Sequence, residues 1–131
     1  MALTGPRVTR QEEGVFRVFG VKGGVKIFQG ALVVLASGLA RPGYAATGLV
    51  VVGRAEETVD ATALADGVAT VKVRKGVFKW LNNGADALAA ADVGAVAYVL
   101  DDATVTKTAT GRSAAGSIFQ VEADGVWIVT P

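Results

Sequence analysis

"VATVKVRKGVFKW", residues 68–80, is the stretch on which the fold turns. Val71 and Val73 alternate with Lys72 and Arg74, the period-two pattern of a strand with one apolar and one basic face. Carried straight through Gly76, that alternation would set Lys75 and Lys79 among the apolar side chains. One extra residue at Lys75-Gly76 flips the parity. Phe78 and Trp80 then rejoin Val71 and Val73, while Lys79 rejoins Lys72 and Arg74. A β-bulge at Gly76 is the economical device, because glycine inside a strand marks a bulge or a close backbone approach. The stretch therefore reads as one bulged strand with Trp80 on its buried side.

The same texture extends in both directions. Seventeen glycines punctuate short runs rich in valine, isoleucine, threonine and aromatics, which predicts many short strands joined by tight turns. Downstream, "ADALAAAD" (85–92) predicts a turn or two of helix after Asn83, stopped at Val93-Gly94. The end of the chain reads as a hairpin, "SIFQVEA" and "VWIVT" about an Asp124-Gly125 turn. That register sets Ala123 opposite Val126, Val121 opposite Ile128 and Phe119 opposite Thr130. The other face then carries Ile118, Trp127 and Val129, candidates for contact with a second layer or subunit. Upstream, residues 1–20 hold Pro6 and the polar cluster "TRQEEG" and read as an arm or an added edge segment. The expected fold is a small single-domain all-β subunit, barrel- or sandwich-like, with short helical turns and an extended N-terminal arm.

Composition bounds the function. A chain of 131 residues makes one domain with a modest core. Hydrophobic residues are 51% of it and charged residues only 19%, below the usual share of roughly a quarter. Association is the favoured way to cover apolar surface that so small a core leaves exposed. The apolar runs 31–36 and 45–53 fall far short of the roughly 20 residues of a spanning helix, so no membrane partner is expected. "MALTGPRVTR" lacks the apolar centre of a secretory signal, and synthesis in a reducing cytoplasm is the simple reading. Net charge is +1, but residues 1–30 carry +3 and residues 81–131 carry −4. Such asymmetry helps like subunits or a partner surface recognise one another.

Reactive chemistry is sparse. There is no histidine and no cysteine, which removes Ser-His-Asp, Cys-His and imidazole or thiolate metal sites. Asp101-Asp102 and Glu56-Glu57 are sequence neighbours, which point to opposite faces of a strand and do not converge; a turn role suits the aspartates. "GRSAAGS" (111–117) lacks a phosphate-loop lysine and "GVKGG" (20–24) is no dinucleotide fingerprint, so both read as loops. Lys72, Arg74 and Lys79 beside Phe78 and Trp80 suggest single-strand nucleic-acid binding. The expected parity sends those aromatics to the opposite face, and the near-neutral charge also argues against that partner. No catalytic, cofactor-binding or metal residue is expected, and no cofactor.

Four blocks in order carry a resemblance: "GALVVLASGLARPGYAATGLVVVGRAEETVD" (30–60), "VKVRKGVFKWLN" (71–82), "DVGAVAYVLDDATVTKT" (92–108) and "RSAAGSIFQVEADGVWIVT" (112–130). Together they resemble the capsid cement, or head decoration, proteins of Mu-like tailed phages. The resemblance implies a β-rich decoration domain over 21–131 that associates, typically as a trimer, on the capsid outer surface and has no catalytic residues. Its partners would be the major capsid protein and its own copies. On that reading the 1–20 arm attaches to the capsid: Val8, Phe16 and Val18 add a strand to an exposed edge, and Arg7, Arg10 and Arg17 steer the approach. A tail or baseplate component is the structural alternative, and a single-stranded nucleic-acid module the binding alternative.

Overall fold

The computed structural model describes residues 2, 4–8 and 14–131. It is built almost wholly of strands. Five of them, β1 (Phe16–Gly20), β3 (Leu32–Ala36), β4 (Leu39–Pro42), β5 (Val50–Ala55) and β7 (Thr70–Arg74), form an antiparallel sheet in the order β1-β7-β5-β3-β4. Just past β1, Val21 bridges Ala40 of β4, so the sheet curls nearly shut. Two short strands, β2 (Lys26–Ile27) and β6 (Val59–Asp60), pair beside it. The remaining five close a barrel in the order β10-β8-β12-β11-β9. They are β8 (Gly76–Asn82), β9 (Val96–Val99), β10 (Thr104–Thr106), β11 (Ala114–Glu122) and β12 (Gly125–Thr130). The all-β expectation therefore holds.

Two apolar cores result, with one wall in common. Val21, Ile27, Val33, Val52, Val71 and Val73 pack inside the curled sheet. Trp80, Val99, Val105, Ile118, Val126 and Ile128 fill the barrel, together with Leu32 and Val34 from β3. Because Val33 faces one core and its neighbours the other, β3 is buried on both sides. That explains its unbroken apolar run, since strands covered on both faces lose the alternation of half-exposed ones. Part of the apolar excess in the composition is thus consumed within the subunit.

The stretch 68–80 keeps its expected parity for a different reason. Val71, Val73 and Trp80 are buried and Phe78 is half-buried, while Lys72, Arg74 and Lys79 are exposed. Yet β7 and β8 are separate strands in separate sheets, and Trp80 lies in a different core from Val71 and Val73. The chain crosses from sheet to barrel at Lys75, so the parity reset is a change of layer rather than a bulge in one strand.

Other expectations need correction. Residues 16–20 are not arm: β1 runs antiparallel to β7 with Phe16 opposite Arg74, and the Lys75 amide donates to the Val15 carbonyl at 2.9 Å. The hairpin turns at Ala123-Asp124, with Glu122 opposite Gly125 and Val121 opposite Val126. Gly125 is needed not for a turn but because a Cβ there would lie 2.8 Å from the Trp80 carbonyl oxygen. A bulge at Phe119 flips the rest of β11, burying Ile118 at 2% exposure and leaving Phe119 at 58%. Ile118 is therefore core and not a subunit contact. The 85–92 helix shrinks to a single 3-10 turn, Ala90–Asp92. The Asn82 side chain bonds both the Leu88 amide and its carbonyl at 2.9 Å, and Asp86 is held by Thr106 and Thr108, so side chains outcompete the helix for this backbone. Residues 114–117 begin β11 rather than extending the loop.

Candidate functional site

The feature that stands apart from core and loops is a basic and aromatic strip where the two sheets meet. Strand pairing assembles it. Phe16 lies opposite Arg74, Arg74 opposite Arg54, and Lys79 opposite Trp127. The Lys72 ammonium sits 4.4 Å and the Arg74 guanidinium 5.3 Å from the centre of the Phe16 ring. The Arg54 guanidinium lies 4.5 Å from the Phe78 ring, and Lys79 6.0 Å from that of Trp127. Such stacking offsets part of the repulsion among neighbouring cations.

Between these strands lies a cavity of about 400 Å³. Arg54, Arg74, Lys75, Phe78, Lys79 and Trp127 are on its walls, and among the described residues none that lines it is acidic. Carboxylates stand next to it: Glu56 bonds Arg54 at 2.9 Å, and Asp124 meets Lys79 at 2.5 Å. The hydrogen bond from Lys79, reinforced by its charge, holds the Asp124 carboxyl below the usual aspartate range. The same contact raises the Lys79 ammonium. The Trp127 indole N–H donates to Glu122, whereas that of Trp80 is buried with no partner among the described residues.

A second surface runs across the outside of the barrel. Val77 lies opposite Val129, Val129 opposite Ser117, and Ser117 opposite Val96, so the four side chains share one outward row. Val77 and Val96 are exposed and Val129 half-buried, with no charge in the row. An apolar groove of about 270 Å³, walled by Leu49, Val50, Val51 and Pro131, opens beside Ala115 and Gly116 of β11.

Of the residues singled out by sequence pattern, Phe16, Val18, Trp127 and Val129 fall on these surfaces and the others do not. Phe16 and Val18 stand exposed on the face of β1 that carries the basic strip. Arg17 lies on the opposite side of that strand, its guanidinium donating to the Val52 carbonyl at 3.4 Å. Arg7 is exposed, and Arg10 lies outside the described residues. Val129 belongs to the apolar row, Trp127 to the cavity wall and Ile118 to neither. Arg54 and the bulged Phe119 carried no signal: one interrupts an apolar run, and the other depends on a bulge that no glycine marks.

Among the described residues, no three acidic, histidine or cysteine side chains gather to hold a metal, and no helix is long and apolar enough to cross a membrane. Compared with known protein families, curated proteins and solved structures, the chain matches none.

Proposed function

We propose that the chain is a structural virion subunit that coats the outside of a phage capsid as an oligomer, a homotrimer in the simplest case, and reinforces the shell. The observation that carries this reading is the uncharged outward row Val77–Val129–Ser117–Val96, three valines interrupted by one serine, with Val77 and Val96 open to water. Apolar surface of that kind suits association between copies. The ordered resemblance to capsid cement proteins supplies the partner, the major capsid protein. A subunit that binds the finished shell and not its free parts stabilises the shell by mass action, and many repeated weak contacts add through multivalency.

Cosedimentation with shells of the major capsid protein tests the proposal. Saturable binding with a raised melting temperature of the shell is the expected outcome. Absence of binding at high micromolar concentration overturns it.

A further inference from the structure

We propose that the cavity between sheet and barrel is a carboxylate-binding site, one that receives an acidic side chain from a peptide segment of a partner. Arg54 and Arg74 are direct cross-strand neighbours, and Lys75 and Lys79 share the cavity with them. Like charges facing each other across a strand pair destabilise it; Glu56 on Arg54 and the stacked rings offset that repulsion in part, and an incoming anion relieves the rest. The walls also set cations beside aromatic faces, a combination that takes a charged head on an apolar stem.

The form of the anion follows from the rim. Among the described residues, the anions bonded to these cations are carboxylates of the chain itself, Glu56 on Arg54 and Asp124 on Lys79. The Asp124 side chain is 76% exposed, so an entering carboxylate has an exchangeable neighbour beside it. A phosphodiester tract leaving the cavity would meet Glu56 beside Arg54 on the sheet side, and Asp124 and Glu122 beside Lys79 and Trp127 at the hairpin. A single acidic side chain avoids that repulsion. At about 400 Å³ the cavity has the size of a small-ligand site, not of a strand-tracking groove.

The site does not depend on the capsid reading, and its failure would leave that reading intact. Both tryptophans of the chain are on its wall, so intrinsic fluorescence reports its occupancy. The probes are a short capped peptide with two glutamates beside a leucine, its glutamine counterpart, and a single-stranded oligothymidylate of similar length. The glutamate peptide should shift the emission saturably and the glutamine peptide should not. Arg74→Gln and Lys75→Gln should each weaken binding about tenfold, the loss of one charge-assisted contact. Lys107→Gln, which removes a cation paired to Asp92 away from the cavity, should leave binding unchanged. Equal responses to both peptides, no saturation by the glutamate peptide at about millimolar concentration, or full binding by both cavity variants overturns the proposal. Tighter binding of oligothymidylate overturns it in favour of a nucleic-acid site.

Discussion

Trp80 concentrates what a single residue contributes here. It is 6% exposed, packs edge-on against Phe78 with ring centres 6.2 Å apart, and belongs to the barrel core. Trp80→Ala should cost about 3–5 kcal/mol by denaturant titration, the range for removing a buried aromatic. Gly116 is the opposite case, a residue whose value is the absence of a side chain. Its φ is +147°, and a Cβ there would collide with the Val129 carbonyl oxygen. Gly116→Ala should therefore lower the melting temperature although it removes nothing, and an unchanged melting temperature would contradict the close approach. Asp86 makes its contribution through oxygen. It accepts from the Thr108 amide at 2.7 Å and the Thr106 hydroxyl at 2.8 Å, and these bonds hold its carboxyl below the ordinary value of 3.8.

At the scale of elements, β1 decides how far the chain can be trimmed. Removing residues 1–14 leaves its ladder with β7 intact, so the melting temperature should hold. Removing residues 1–20 strips the edge strand from β7 and uncovers Val71 and Val73, and the melting temperature should fall markedly. Equal behaviour of the two truncations would show that β1 adds nothing to the sheet. The sequence made some of these elements legible and hid others, for physical reasons. Alternation through Val71, Val73, Phe78 and Trp80 reports which side of a strand is buried, and it did so correctly on both sides of Lys75. It is blind to which core lies on that side, so two strands in two sheets read as one. Asp124-Gly125 has the composition of a tight turn, but Gly125 is claimed by the approach of the β8 backbone. The bulge at Phe119 arises from pairing with β12, a partner whose register local pattern does not encode. The basic strip was half visible. Lys72, Arg74 and Lys79 share one local run, whereas Phe16, Arg54 and Trp127 join them only through pairing between distant strands.

For the whole molecule, charge sets the response to acid. Asp60, Asp66, Asp86 and Asp124 all titrate below 3.8, chiefly because each accepts hydrogen bonds in the folded state. A depressed carboxyl contributes stability that is complete above its unfolded value and is lost as pH falls through its folded one. Stability should therefore be level near about pH 6 and decline below about pH 4. Asp86→Asn should flatten that decline while lowering stability at neutral pH, as measured by denaturant titration at each pH. The proposed association is tested at the same scale. Val77→Lys and Val129→Lys place charge at the end and in the middle of the outward row, and sedimentation should show a smaller species with little loss of secondary structure. If both variants sediment as the parent does, the row is not where copies meet. The doubly buried strand β3 has one more consequence. Because Leu32 and Val34 pack with the barrel's core residues and Val33 with those of the curled sheet, neither half can open without uncovering part of β3. The two halves should behave as a single cooperative unit, melting in one transition. The β3 amides should then exchange their hydrogens only through global unfolding, the last in the chain to do so.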